Sequence, residues 1–224
     1  MKNLIILTTI FLIITHVSTK STIEVIYSKA YKNPKDEVVK IISDIEYSLL
    51  FDKSKSRFEY IEKMTNEANR NKQFIGKGGG MGVFFVDNQK NISLHQVDIF
   101  GQLFVIDKDS FRYEWNLSKE KKKILGYTCL KAIGTIKEYN PMTKQTLTHT
   151  VTAWYSPKFP GLFGPAEYFG LPGLVLEASK GSYYFVAKSI NLESDKTILS
   201  PTKGKKVSKK EFDDILYQTL INKN

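Results

Sequence analysis

Residues 127–156 read YTCLKAIGTIKEYNPMTKQTLTHTVTAWYS, two long β-prone runs, Tyr127 to Tyr139 and Gln145 to Ser156, joined by the turn Asn140-Pro141-Met142-Thr143. Both runs are rich in Ile, Val, Thr and Tyr, residues that suit a pleated, half-buried surface, and proline and asparagine punctuate the gap between them. Two strands joined by so short a turn pair antiparallel. Upstream the same alternation of runs and turns continues through Gly82 to Asp87, Ile92 to Val97, Gln102 to Asp107 and Arg112 to Leu117. Downstream it covers Leu174 to Ser179 and Tyr183 to Asn191, with Lys180-Gly181-Ser182 as the turn. No helical pattern long enough for a parallel crossover intervenes, so the expectation is mainly β, a curved antiparallel sheet of the α+β class.

Earlier, Thr22 to Ser28, Glu46 to Phe51 and Ser56 to Ile61 read as strands, Val38 to Ile45 fits helix or strand, and Glu62 to Lys72 is polar without an apolar stripe. One helix stands out at the end of the chain. Ser208 and Glu211 have capping-box spacing, and Phe212, Ile215, Leu216 and Leu220 follow on one helical face. That amphipathic helix must bury its stripe, most simply on the sheet.

The chain opens with Met1-Lys2-Asn3, an apolar run from Leu4 to Ile14, and the polar stretch Thr15 to Ser21. A basic start, a short apolar core and small residues make a signal peptide, with cleavage expected near Thr19. The run is shorter than the about 20 apolar residues that a membrane span needs, so no transmembrane anchor is expected. Residues 1–19 are read as the signal and 20–224 as one domain that works outside the cytoplasm, secreted or periplasmic. Cys129 is the only cysteine, which leaves no thiol at the signal junction for a lipid anchor and no partner for a disulfide.

The formal net charge is +10. The lysines concentrate in Lys119 to Lys123 and Lys203 to Lys210, read as a turn and a helix entry, without interleaved aromatics, so nucleic acid is not expected as a partner. His95, His149 and Cys129 are too few for an imidazole–thiolate metal site, and neither a metal nor a cofactor is expected. The run Gly76-Lys77-Gly78-Gly79-Gly80-Met81-Gly82 lacks the Lys-Ser/Thr pair and following helix of a phosphate-binding loop, and reads as a flexible loop feeding a strand. No Gly-x-Ser-x-Gly nucleophile motif is present.

Between Trp154 and Glu177 four prolines and four glycines alternate with Phe159, Leu162, Phe163, Tyr168, Phe169 and Leu171. A loop this apolar folds back over the open side of the sheet. Here the chain resembles the GLPGLI family of Bacteroidetes, whose motif stands as Gly170-Leu171-Pro172-Gly173-Leu174-Val175. Trp115, Ile124, Gly126, Tyr127, Cys129, Lys131 and Ala132 resemble its upstream block. Trp154-Tyr155, Gly164-Pro165 and Glu177 stand where its later elements do. The resemblance spans about residues 100 to 190 and implies a secreted or periplasmic envelope protein from a family without an established activity. By fold analogy the strand succession is similar to lipoprotein-carrier half-barrels, an analogy that carries function poorly.

The leading functional expectation is a non-enzymatic binding protein that holds a hydrophobic ligand or peptide segment in an apolar cavity. Its expected contact residues are Trp154, Phe159, Phe163, Tyr168, Phe169, Leu171 and Glu177. Gly164, Pro165, Gly170, Pro172, Gly173, Tyr127, Cys129 and Lys131 are expected to shape the fold around them. A second reading is an interaction module for an outer-membrane transporter or surface complex. A third is a hydrolase-type enzyme, with Glu177 and Lys131 as an acid/base pair or Cys129 as a nucleophile.

Overall fold

The structure is a computed structural model, and it describes residues 22–33, 35, 39–63, 74–108, 113–140, 143–159 and 161–221. The expected signal at 1–19, its cleavage site and most of the polar stretch Glu62 to Lys72 lie outside the described residues.

Among the described residues, twelve strands form one sheet. They are β1 (Thr22–Lys32), β2 (Val39–Phe51), β3 (Lys55–Tyr60), β4 (Val83–Asp87), β5 (Ile92–Ile99), β6 (Gln102–Asp107), β7 (Glu114–Ile124), β8 (Tyr127–Asn140), β9 (Gln145–Ser156), β10 (Leu174–Lys180), β11 (Tyr183–Ser194) and β12 (Lys205–Ser208), and helix α1 (Lys209–Ile221) follows. The spatial order is β12-β6-β5-β4-β3-β2-β1-β11-β10-β9-β8-β7, with β12 and β7 at the two ends, so the sheet does not close into a barrel. Every neighbouring pair is antiparallel except β12 with β6.

The register explains why the sheet has one apolar side. Val25, Leu49, Phe58, Phe84, His95, Ile106 and Val207 stand opposite one another in turn across seven strands. Directly opposed residues share a face, so this row is a continuous apolar stripe interrupted only by His95. That imidazole stacks on the Phe84 ring at 4.1 Å, and its Nε2 bonds the Met81 carbonyl at 2.7 Å. The sheet curls toward this side. Phe58 on β3 and Phe185 on β11 lie three strands apart, about 14 Å in a flat sheet, yet their ring centroids are 5.5 Å apart.

Two pieces of chain cover the apolar side. Helix α1 covers the β12 end, where Phe212 packs edge-on to Phe104 at 5.3 Å and joins Val97, Ile106 and Val207. Its N-terminus is the expected capping box: the Ser208 amide and hydroxyl both bond the Glu211 carboxylate. The segment 157–173 covers the other end.

The opposite side carries the connection from β11 to β12. Seven strand spacings separate these two strands, about 34 Å, which the ten residues 195–204 can span only when nearly extended. Arg57 holds this strap by donating to the Leu199 carbonyl at 2.8 Å, and Gln96 does so to the Lys203 carbonyl at 2.7 Å.

Two local expectations are corrected. Lys119 to Lys123 are not a turn but lie in β7, an end strand paired on one side with β8. Lysines along an edge strand oppose further strand addition, and because they face water the alternation that marks a strand is lost from the sequence. Lys205 to Ser208 are likewise a short strand rather than part of a helix entry. Val39 to Ile45, ambiguous in sequence, continues β2.

Phe163 and Leu162 are neighbours in the covering segment, one wholly buried and one 42% exposed. Phe163→Ala is expected to cost about 3–5 kcal/mol in urea unfolding, and Leu162→Ala less than about 0.5 kcal/mol. Similar costs at both sites would show that 157–173 is not part of the core.

Candidate functional site

The segment 157–173 is tied to the sheet by backbone and side-chain hydrogen bonds. Val175 N–H donates to the Phe163 carbonyl at 2.9 Å and Gly170 N–H to the Leu162 carbonyl at 2.8 Å. Three side-chain bonds tie the segment and the start of β10 to their surroundings. The Tyr27 hydroxyl donates to the Val175 carbonyl at 2.6 Å, the Trp115 indole to the Phe169 carbonyl at 3.0 Å, and the Tyr168 hydroxyl to the Gly78 carbonyl at 2.9 Å. Phe159, Phe163, Tyr168, Phe169 and Leu171 are all buried. Phe163 packs against Phe51 of β2, Tyr168 against Tyr113 and Phe185, and Phe159 against Tyr127.

Two motif glycines are required by close approach. A Cβ on Gly164 would stand 1.9 Å from the Tyr168 carbonyl oxygen, and one on Gly173, where φ is 145°, would stand 2.3 Å from that of Ser156. Pro165 is buried beside them, whereas Gly170 and Pro172 sit at the surface. The segment's aromatic surface faces protein, and a ligand role for these five residues requires the segment to move.

Trp154 and Glu177 belong to a different place. Lys131 on β8, Trp154 on β9 and Glu177 on β10 stand directly opposite one another in a row across three strands. Lys131 and Glu177 are not an ion pair. Lys131 Nζ lies 3.0 Å from Glu120, while Glu177 pairs with Lys122 at 2.7 Å. The Trp154 ring lies between, with Lys122 Nζ 4.4 Å and Lys131 Nζ 6.0 Å from its centroid. Such contacts contribute about 0.5–1 kcal/mol each at exposed sites. With Glu120 and Lys122 the row brings together five residues that the sequence scatters over more than fifty positions, and it makes a partly buried aromatic surface framed by charge.

Cys129 is buried, and burial pushes its thiol up to about 11. A thiol so shifted is almost wholly protonated at neutral pH and is a poor nucleophile. His95 and His149 sit on β5 and β9, with six strands between them in the sheet, and no group of three or more metal-ligating side chains converges among the described residues.

A groove that the sequence reading missed lies on the face opposite α1's packing face. Ile92, Leu94 and Val105 form part of its floor, the strap residue Pro201 one wall, and Lys206 and Lys210 part of its rim; its volume is about 810 Å³. The register accounts for it: Leu94 is opposite Asp107 and Val105 opposite Lys206, one row out of phase with the core stripe. No sequence pattern announces the groove, because its wall comes from a strap about a hundred residues downstream of its floor.

A family model described as "Protein of unknown function (Porph_ging)" matches residues 135–177. That interval runs from mid-β8 through the covering segment to Glu177. No curated protein matches the chain. Two solved structures of PNGF-II, in P21 and C2 crystal forms, share the fold: TM-score 0.59 at 15% identity and 0.58 at 16%. Each alignment covers 89% of this chain but only 34% and 33% of the PNGF-II chain, so this chain spans about a third of that protein's length.

In the native protein at pH 8, Cys129 is expected to resist 5,5′-dithiobis(2-nitrobenzoate) and to react with one equivalent after urea unfolding. Rapid native labelling would restore the nucleophile reading.

Proposed function

We propose that this chain is a non-enzymatic binding protein of the cell envelope, a GLPGLI-type protein secreted or exported to the periplasm, whose ligand is a hydrophobic molecule or peptide segment. The observation that carries this reading is the groove of about 810 Å³ beside β5, β6 and β12. Its volume falls within the roughly 300–1,000 Å³ of small-ligand sites; its floor of Ile92, Leu94 and Val105 is apolar, and Asp107, Lys206, Lys209, Lys210 and Glu211 surround that floor with charge. The concave side of the sheet, by contrast, is filled by 157–173 and α1. The partial family match over 135–177 supports a family without an established activity, and the GLPGLI reading rests on the sequence itself, on Trp154, Gly164-Pro165, the Gly-Leu-Pro-Gly run and Glu177. No helix among the described residues is long and apolar enough to cross a membrane.

The test is native mass spectrometry of protein purified from its source. The wild type is expected to carry extra mass from a lipid or peptide, and Leu94→Lys, which puts a charge on the groove floor, to lose it. Retention by Leu94→Lys with loss in Phe169→Ala would move the site beneath the 157–173 segment.

A second reading, an interaction module for a transporter or surface complex, is favoured by the end of the β8–β9 hairpin. The pairing runs on from Ile136 opposite His149 to Asn140 opposite Gln145, beyond the last partners that β7 and β10 supply. This two-stranded ribbon leaves Tyr139 and Leu147 exposed. Isolated ribbons are marginal in water, and strand addition by a partner protein would stabilise this one. Thr148→Pro is expected to abolish capture of that partner from envelope extracts while leaving the groove ligand bound. Unchanged capture would count against it.

A further inference from the structure

Lys29 on β1 is completely buried, with its side chain on the apolar side of the sheet. Its ammonium nitrogen lies 3.8 Å from the centroid of the Phe185 ring and 5.5 Å from that of Tyr47, and donates to the Gly79 carbonyl at 2.7 Å. That carbonyl belongs to the glycine-rich loop 75–82. The loop is held by side chains from four separate elements, each bonding one carbonyl: Tyr47 of β2 to Ile75, Tyr168 of the covering segment to Gly78, Lys29 of β1 to Gly79, and His95 of β5 to Met81. Its carbonyls point inward, the reverse of an anion-binding nest, whose N–H groups converge.

Beyond these, two backbone bonds hold the loop among the described residues, Lys77 N–H to the Phe74 carbonyl at 3.2 Å and Gly79 N–H to that of Gly76 at 3.1 Å. Gly78, Gly79 and Gly80 have φ of 67°, 92° and 107°, a run of left-handed backbone that glycine enters freely and other residues resist. A Cβ on Gly80 would stand 2.8 Å from the Phe185 ring, so the loop lies flat on the aromatic layer around Lys29. A segment with so few side chains and so few backbone bonds is of the kind that opens locally.

We infer that residues 75–82 form a lid over Lys29, and that proton uptake by the Lys29 amine opens it. An ammonium closed beneath the lid has one hydrogen-bond acceptor among the described residues and two ring faces; opening gives it water. Among the described residues, the groups around it do not supply a compensating charge. Tyr47 and Tyr168 are held neutral, because burial raises both phenols well above their usual range. His95, at the far end of the loop, is lowered to about 4 chiefly by burial and stays neutral above that pH. Glu167, in the covering segment, is paired with Lys108, and Lys77 on the loop is exposed. Burial is also what lowers Lys29 itself, from 10.5 to about 7.

The sign follows from linkage. Between about pH 10 and 7 the open form holds a proton that the closed form does not, so opening becomes about tenfold easier for each pH unit of acidification. Below about 7 both forms are protonated and the dependence levels off. The lid thus loosens as pH falls toward neutrality, and opening exposes the Lys29 ammonium and the Phe185 and Tyr47 rings that it packs on.

Hydrogen exchange of the 76–82 amides in the full chain, corrected for intrinsic rates, tests this between pH 6 and 9.5. The expected result is opening far more frequent than that of the β1 and β2 amides, rising about tenfold per unit as pH falls and flattening near 7. Lys29→Met is expected to remove the pH dependence while keeping the loop's slow exchange at high pH. Equal protection of loop and core amides, a flat wild-type profile, or an unchanged slope in Lys29→Met would overturn the inference. Acetylation of Lys29 by acetic anhydride, referenced to exposed Lys77, gives a readout that needs no variant. Modification that keeps pace with loop opening supports the lid, and modification only on global unfolding overturns it.

Discussion

A single curved sheet whose apolar side faces no second sheet among the described residues must be covered by its own chain, and the rest of this structure depends on how that is done. The stripe from Val25 to Val207 crosses seven strands and would otherwise meet water. Helix α1 covers one end through Phe212, and the segment 157–173 covers the other through Phe163, Tyr168 and Leu171. A helix can bury a stripe with its backbone satisfied internally, whereas an irregular segment cannot. Hence the segment's prolines, its glycines at close approaches, and the Trp115 indole aimed at its Phe169 carbonyl. The Gly-Leu-Pro-Gly run is therefore explained first by backbone packing against Ser156 and Tyr168, before any ligand is invoked.

Most of the fold is legible in the sequence because β-prone runs and polar turns alternate with little ambiguity. The helix is legible because its cap and stripe are both local. What escaped reading is what depends on the order of strands in space. Lys119 to Lys123 give no strand signal because an edge strand in water needs no apolar alternation. Trp154 sits within a few residues of the covering aromatics in sequence, yet it faces Lys122 and Lys131 rather than Phe163. The groove escaped for the same reason, since Leu94 and Pro201 meet only once the strap has crossed from β11 to β5, five strand spacings.

Several polar groups are buried on the apolar side, and they are used in one consistent way. Tyr47, Tyr168, Lys29 and His95 each bond a carbonyl between Ile75 and Met81, and Tyr27 bonds that of Val175 at the start of β10. They convert loops into parts of the core without a disulfide. Neutral phenols do this at every physiological pH, and His95 does so above its lowered range. Lys29 alone carries a proton whose loss or gain falls near neutrality. Stability and local motion in this molecule are thus separated between groups: the phenols hold the cover, and the amine tunes one loop of it.

The covering role of 157–173 is the central claim, and amide exchange at Gly170 and Val175 tests it most directly. These two N–H groups bond the Leu162 and Phe163 carbonyls within the cover. If the segment is part of the core, both exchange only by global unfolding, with the same free energy as the amides of β1 and β10. Exchange of both through a cheaper opening, while β1 and β10 stay protected, would show a detachable flap over a binding cavity and contradict the account.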